Sequence, residues 1–114
     1  MKLNVRRADG YAVIDVQGYV DLSSSPELRG ACLDLARHRT TGIIINLADV
    51  PYMDSSGVAT LVECLQRVAE YEGRLAICGL SERTREIFDI TNLDRVFDFY
   101  ETEDEAVRAV RGVT

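Results

Sequence analysis

Hydrophobic positions divide the chain into short β-type runs and longer stretches with helical spacing. Residues 11–17 read Tyr-Ala-Val-Ile-Asp-Val-Gln, and residues 3–7 form a shorter run of the same kind. Runs rich in β-forming residues that end at a glycine, here Gly18, are typical of strands. Because the Asp9-Gly10 pair between the two runs favours a tight turn, we expect an antiparallel hairpin.

A first helix is predicted after the serine run that follows Asp21. Ser25 can accept hydrogen bonds from free main-chain N–H groups, and Pro26 suits the first helical position. The pattern ends at residues 40–42, which read Thr-Thr-Gly. One buried face is predicted from apolar residues at helical spacing, namely Leu28, Ala31, Cys32, Leu35 and Ala36.

The centre of the chain holds its strongest strand and helix patterns. Residues 42–47 read Gly-Ile-Ile-Ile-Asn-Leu, and such a continuous β-branched run predicts a central strand covered on both faces. The loop at 48–53 then leads to Asp54 and the second helix. Its predicted inner face consists of Val58, Leu61, Val62, Leu65, Val68 and Ala69.

The last third of the chain predicts two further strands and two further helices. Residues 74–78 and 96–100 are the strand candidates, and Ser81 is placed to cap the helix between them. Thr102 and Glu105 match a reciprocal capping box, in which each side chain satisfies the other's main-chain donor. The third helix carries Ile87, Phe88 and Ile90, and the last one carries Ala106, Val107 and Val110.

The predicted order is ββαβαβαβα, which indicates an α/β fold. Right-handed crossovers give a mostly parallel mixed sheet with an antiparallel N-terminal edge strand and about four helices. A length of 114 residues gives room for one domain, spanning 1–114. In open α/β sheets, function concentrates in loops that leave the carboxyl ends of strands, and both Asp21 and Asp54 lie in such loops.

The charge of the chain narrows the classes of partner. A formal net charge of −6 repels phosphate backbones and anionic lipid heads, so we expect no nucleic-acid binding. No segment approaches the run of about 20 apolar residues that crosses a membrane, and the N-terminus lacks the apolar core of a signal peptide. We therefore expect a cytoplasmic protein with no direct membrane insertion.

The residues that usually carry catalysis or bind metals are sparse and scattered. The three cysteines, Cys32, Cys64 and Cys78, form no C-x-x-C pair and are expected to be buried free thiols. The single histidine, His38, lies at a helix end beside arginines, where it complements the helix dipole rather than activating a serine. Neither a phosphate-binding loop nor a zinc spacing occurs. We expect no enzyme activity, no metal and no cofactor.

The run Asp54-Ser55-Ser56-Gly57 is the strongest functional candidate. Asp or Ser before a helix is the commonest cap, so these four residues also fit a purely structural role. A hydroxyl beside free N–H groups, a flexible Gly57 and an exposed approach loop favour a modification site. A phosphate there would add about −1.5 to −2 charge, repel Asp54 and Asp21, and act on binding more than on stability.

Several segments in order resemble the bacterial anti-sigma factor antagonists, small proteins built on the sulphate transporter and anti-sigma factor antagonist (STAS) domain. The likeness covers nearly the whole chain. In the first half of the chain it rests on Gly-Tyr-Val-Asp at 18–21 with Pro-Glu-Leu at 26–28, and on the strand at 43–47 that leads to Met-Asp-Ser-Ser-Gly-Val at 53–58. In the second half it rests on Leu-Ala-Ile-Cys-Gly at 75–79 and on Ile-Phe-Asp-Ile-Thr-Asn-Leu at 87–93, which is followed by Val-Phe at 96–97.

The resemblance implies roles for particular residues. In the family, the serine directly after the motif aspartate is phosphorylated, which carries that role to Ser55. Ser56 is then a neighbouring contact residue, and Asp21 helps to shape the partner surface. Tyr19 departs from the family, which often has a small or acidic residue at that place, and it is expected to be a lid or interface side chain. The expected partner-binding residues are Asp21, Ser23, Asp54, Ser56, Gly57 and Val58.

The resemblance also implies a regulatory cycle. The unmodified protein binds an ATP-using anti-sigma serine kinase and frees the sigma factor that the kinase holds. Phosphorylation by that kinase ends the interaction, and a metal-dependent serine phosphatase restores the active form. Mg²⁺ and ATP in this cycle belong to the partners.

Two other roles of the same domain are left open. It also occurs as a non-enzymatic subunit of lipid ABC transporters and as a scaffold in stress-signalling assemblies. An intact Asp54-Ser55-Ser56-Gly57 run favours the phosphorylation switch, because a purely structural subunit does not require a phosphorylatable hydroxyl at that place.

Overall fold

The computed structural model of the chain describes residues 1–112. Within them, strands and helices alternate in the predicted order. The elements are β1 (Lys2–Ala8), β2 (Tyr11–Gln17), α1 (Ser25–Arg37), β3 (Gly42–Asp49), α2 (Ser55–Ala69), β4 (Arg74–Cys78), α3 (Glu82–Ile90), β5 (Asp98–Tyr100) and α4 (Glu103–Val110).

The strands form one mixed sheet in the order β1-β2-β3-β4-β5. β1 is antiparallel to β2, while the other neighbouring pairs are parallel, which confirms the predicted topology. β3 lies at the centre, and the side chains of Ile43, Ile44 and Ile45 are fully buried. The run of β-branched residues is therefore covered on both faces, as the sequence predicts.

The two faces of the sheet are covered unequally. Three helices, α1, α2 and α3, pack on one face and form the larger core, which includes Leu28, Leu61 and Phe88. Only α4 covers the other face, where Ala106 and Val110 meet the alternate side chains of the central strands. These side chains are Val13, Ile44, Ala76 and Cys78.

A polar network lies beside α4 on its face of the sheet. The guanidinium of Arg6 on β1 donates to both carboxylate oxygens of Asp15, at 2.5 and 2.9 Å, and to Glu103 of α4 at 2.6 Å. The amide of Asn46 on β3 donates to Asp15 at 2.9 Å. These bonds, the one from Arg6 above all, hold the pKa of Asp15 below its ordinary value.

The first and last described residues lie at opposite ends of the parallel strands. Because β1 is antiparallel, Lys2 pairs with Gln17, and Met1 lies against Gly18 at the carboxyl ends of the parallel strands. Gly112 lies beside Arg74, the first residue of β4, at the amino ends.

The start of α1 differs from the prediction by one residue. The helix begins at Ser25, which is buried, and Pro26 is its second residue. The free N–H groups of Ser23 and Ser24 bond to the Asp21 carboxylate at 3.0 and 3.1 Å. The cap that Ser25 was expected to provide is not formed, and no side chain of the described residues replaces it. The Ser25 N–H donates instead to the main-chain carbonyl of Asp21 at 2.8 Å, and the Asp21 carboxylate holds the turn that precedes the helix.

The buried face of α2 is rotated from its prediction. Ala69 is exposed, while Thr60 and Cys64 are buried beside Leu61 and Val68. The buried stripe is centred on Leu61, Cys64 and Val68, and the next residue, Ala69, lies about 100° further round the helix.

The last strand and the last helix cap each differ in one detail. β5 begins at Asp98 rather than at Val96, because the Val96 N–H closes a turn onto the Leu93 carbonyl at 3.1 Å. Thr102 accepts from the Glu105 N–H as predicted, at 3.2 Å. The Glu105 carboxylate, however, accepts from the Thr102 hydroxyl at 3.0 Å instead of a main-chain N–H, so the reciprocal box is only half formed.

The three cysteines are buried free thiols, as predicted. Cys32 of α1 and Cys64 of α2 are neighbours in the larger core, and Cys78 faces α4. Within residues 1–112, no helix is both long and apolar enough to cross a membrane.

Candidate functional site

Two loops run side by side at the carboxyl ends of β2 and β3. The N–H of Val20 donates to the Tyr52 carbonyl, and the N–H of Asp54 donates to the Val20 carbonyl, both at 3.0 Å. Val20 and Met53 thereby form an isolated parallel bridge beyond the ends of the strands. The bridge places Asp21 and Asp54, which follow its two members, in adjacent positions at one edge of the sheet.

Asp54 caps α2, as the sequence predicts. Its Oδ1 accepts from the Ser56 N–H at 2.9 Å, which satisfies one of the unpaired donors of the first turn. Ser55 is the first helical residue and is exposed, and its hydroxyl forms no hydrogen bond to another described residue. Ser56 is partly buried. The Ser55 hydroxyl is therefore open to a modifying enzyme, and its modification would break no internal contact.

Gly57 is required for close packing, which corrects the expectation that it provides flexibility. A β-carbon at this position would lie 2.7 Å from Met53 Cγ and 2.8 Å from Val20 Cγ1. Both Gly57 and Val58 are buried. Gly57 lies directly against the Val20–Met53 bridge, and neither buried residue is exposed to a partner, so their predicted effect on a partner is indirect.

The Asp21 carboxylate organises the other loop. It accepts from the Ser23 hydroxyl at 2.8 Å and from the N–H groups of Ser23 and Ser24. These bonds favour the ionised form and lower the pKa of Asp21, the Ser23 hydroxyl contributing most. Ser23 is exposed, so Asp21 and Ser23 reach the same surface as Ser55.

Large exposed apolar side chains lie in these loops at the carboxyl ends of β2 and β3. Tyr19 is 61% exposed and meets Tyr52, itself 41% exposed, with ring centroids 5.9 Å apart in an edge-to-face arrangement. Leu22, in the turn after Asp21, is 77% exposed. The sequence indicates an interface role for Tyr19 but not for Leu22 or Tyr52. Neighbouring exposed apolar side chains of this kind are typical of protein-binding surfaces.

A groove of about 390 Å³ separates the start of α2 from α3. One side is formed by residues 52–55. The other side is formed by one stripe of α3, consisting of Arg83, Glu86, Ile87 and Ile90. The sequence alone did not indicate that this stripe of α3 faces the start of α2, although the helical spacing of the four residues does predict that they share one side of the helix.

Catalytic groups are not assembled around Ser55. His38 lies at the C-terminal end of α1, where its Nδ1 is 2.8 Å from the Asp34 carbonyl oxygen. Among the described residues, no three His, Cys, Asp or Glu side chains are arranged to hold a metal ion. What the described arrangement offers is an exposed hydroxyl beside exposed apolar side chains.

Comparison with known proteins places this geometry in a family. The family model of the STAS domain matches residues 2–106. The anti-sigma-B factor antagonist of Staphylococcus epidermidis is 35% identical over 95 residues, which cover 82% of this chain and 88% of that protein.

Solved structures agree on the fold. An anti-sigma factor antagonist from Mycobacterium paratuberculosis superposes with a TM-score of 0.88 at 27% identity, over 96% of this chain and 93% of the other. The antagonist SpoIIAA in its unphosphorylated form gives a TM-score of 0.85 at 24% identity, over 99% of each chain, which shows a shared fold. The chain belongs to the STAS domain family.

Proposed function

We propose that the chain is an anti-sigma factor antagonist whose unmodified form binds an anti-sigma factor through the surface around Ser55. The exposed Ser55 hydroxyl, beside exposed apolar side chains and without a described hydrogen bond of its own, carries the proposal. The relatives from Staphylococcus epidermidis and Mycobacterium paratuberculosis, which bear the name of antagonist, support it.

The partner surface in this proposal combines both loops and the groove. Asp21, Ser23, Asp54 and Ser56 supply its polar contacts, and Tyr19, Leu22 and Tyr52 supply apolar area. Gly57 packs directly beneath it against Val20 and Met53, and Val58 is the buried residue that follows. Binding through such a surface frees the sigma factor that the anti-sigma factor otherwise holds.

Phosphorylation of Ser55 switches the interaction off. A phosphate adds about −1.5 to −2 charge at neutral pH, next to the carboxylate of Asp54. A partner that packs against the unmodified start of α2 then meets bulk and like charge, and desolvating the phosphate opposes binding. Because Ser55 is exposed, the fold accommodates the change.

In this proposal, the partners catalyse both the phosphorylation of Ser55 and the removal of the phosphate. The anti-sigma factor is an ATP-binding serine kinase that phosphorylates Ser55, and a metal-dependent serine phosphatase removes the phosphate. The antagonist itself provides the substrate hydroxyl and the docking surface, and it needs no cofactor of its own for either step.

The proposal is tested by mass spectrometry together with capture experiments. Protein purified from its own host is analysed by intact mass and by peptide mapping, and Ser55→Ala, Ser55→Asp and Ser56→Ala variants serve as baits. We expect phosphate on Ser55, and a soluble ATP-binding serine kinase captured by the Ser55→Ala and Ser56→Ala forms but not by the Ser55→Asp form.

A purified kinase then provides the direct assay. Mg-ATP and the captured kinase should place a single phosphate, on Ser55, in the wild type and in Ser56→Ala, and none in Ser55→Ala. Absence of phosphate at Ser55 under every growth condition, with a membrane permease captured equally by all forms, would instead assign the chain to the transporter-subunit role.

A further inference from the structure

The groove beside Ser55 has a charged wall on α3. Arg83, Glu86, Ile87 and Ile90 follow the spacing i, i+3, i+4 and i+7, so they share one side of the helix and face residues 52–55. Arg83 is the one cation among the described residues of the groove, whose two acids are Asp54 and Glu86.

Arg83 forms no ion pair with any described residue. The salt bridges of the described chain involve Arg6, Arg7, Arg29, Arg67 and His38 instead. The guanidinium of Arg83 is thus an exposed cation with unused donors, and it lines the same groove as the Ser55 hydroxyl. A planar guanidinium donates two parallel hydrogen bonds to a phosphate, which makes it well suited to bind one.

We infer that Arg83 is a positioning residue that binds the phosphate on Ser55 and thereby closes the groove between α2 and α3. The inference deepens the proposed function and rests on it in one respect, namely that Ser55 is the phosphorylated residue. The phosphate is repelled by Asp54 and Glu86 from two sides of the groove, and Arg83 is the side chain of this wall that offsets the repulsion.

Closing the groove explains how a modification at one residue disables a wider surface. Ile87 is partly buried and Ile90 is 75% exposed along the same wall, so the unmodified groove offers apolar area to a partner. A phosphate bound to Arg83 places a paired anion and cation over this area. A partner side chain could then enter only by breaking the ion pair and desolvating both groups.

Arg85 provides a matched control on the same helix. It is exposed like Arg83, but its guanidinium lies over the Phe99 ring, 4.9 Å from the centroid, and it does not line the groove. Replacing either arginine by glutamine removes one positive charge from α3. Only the change at Arg83 should alter the pKa of a phosphate on Ser55.

The test measures the second pKa of a phosphoserine at position 55 by ³¹P NMR. Phosphoserine is installed by genetic code expansion in the wild type, in Arg83→Gln and in Arg85→Gln. An adjacent guanidinium favours the dianion, so we expect this pKa to be about half a unit lower in the wild type than in Arg83→Gln. We expect Arg85→Gln to titrate like the wild type, and the difference to shrink in high salt.

Equal phosphate pKa values in the two variants would overturn the inference, as would a larger shift for Arg85→Gln. Both arginines are exposed, and amide spectra of the two variants verify that each is folded. The measurement needs neither kinase nor partner. A failure of the proposed function would appear in the capture and kinase assays, whereas a failure of this inference appears in the titration alone.

Discussion

The main-chain N–H of Asp54 donates to the carbonyl oxygen of Val20 across 3.0 Å, which joins the loop after β3 to the loop after β2. Asp21 follows one of these residues and Ser55 follows the other. Neither loop can move away from the other without breaking this bond. The surface that carries the candidate phosphorylation site is therefore one structural unit, although its two halves are distant in the sequence.

Gly57→Ala should destabilise the protein. The added methyl group would lie within 3 Å of both Val20 and Met53, so the bridge beneath the surface must shift. We expect the free energy of unfolding to fall by about 1 to 3 kcal/mol, the usual range for overpacking a well-packed core. Urea denaturation followed by circular dichroism measures the change.

Gly30→Ala is the control for this substitution. Gly30 lies in α1 and is exposed, and a β-carbon added there would meet no other atom within 4 Å. Alanine is the better helix former by about 0.8 to 1 kcal/mol, so this variant should be more stable than the wild type. Equal stability losses in the two variants would contradict the packing role of Gly57.

The Asp21 carboxyl should titrate below its ordinary value. Its pKa is lowered in the folded state, chiefly by the Ser23 hydroxyl, so the loop bonds hold above about pH 4 and are lost as the pH falls through the lowered value. Carboxyl ¹³C shifts measured against pH give the midpoint. Ser23→Ala should move it up toward the ordinary value, and Ser56→Ala should leave it unchanged.

The network of Arg6, Asp15 and Glu103 should make the fold sensitive to acid. The pKa of Asp15 is lowered in the native state, so its contribution to stability is present above the unfolded value and is lost as the pH falls below about 4. Because these groups are partly exposed, we expect Arg6→Ala to reduce stability at neutral pH by only about 0.5 to 1 kcal/mol.

Denaturation curves at pH 7 and pH 3 distinguish this network from an isolated surface pair. The difference between the wild type and Arg6→Ala should diminish at pH 3. Arg67→Ala removes an exposed pair with Glu70 within one helix turn and should change stability by less than about 0.5 kcal/mol. A penalty for Arg6→Ala that is the same at both pH values would rule out the carboxylates as its cause.

The three thiols should be unreactive in the native protein. Burial raises the pKa of Cys78 to about 11, and the neighbouring Cys64 together with burial raises that of Cys32. Since the thiolate is the reactive form, a disulfide reagent such as DTNB should modify the cysteines only after unfolding. Rapid modification in buffer without denaturant would show that the core around them opens.

Local signals in the sequence predicted the topology and the cap at the candidate site. The hairpin follows from Asp9-Gly10, and the role of Asp54 follows from a capping bond that spans only two residues to Ser56. Both features are determined by neighbours along the chain. The resemblance carried by residues 53–58 added the prediction that Ser55 is phosphorylated, which local physics alone does not distinguish from a structural role.

Features that depend on distant residues could not be predicted in the same way. Gly57 needs to be small because Val20 and Met53 approach it, and only the folded chain brings Val20 there. The exposure of Leu22 and Ile90 was missed because an apolar residue in a sequence is most simply expected to be buried. The exposed apolar residues of the candidate surface other than Tyr19 therefore became apparent only from the fold.

The antiparallel first strand has a practical consequence for every capture experiment on this protein. It brings Met1 to the same end of the sheet as Asp21 and Ser55, whereas Gly112 lies at the opposite end beside Arg74. An affinity tag or fluorophore attached before Met1 would begin at this end of the sheet, where it could hinder the proposed partner and imitate the effect of phosphorylation. Gly112, the last described residue, lies at the opposite end of the sheet, so a label on the C-terminal side is the preferable choice for testing the proposed surface.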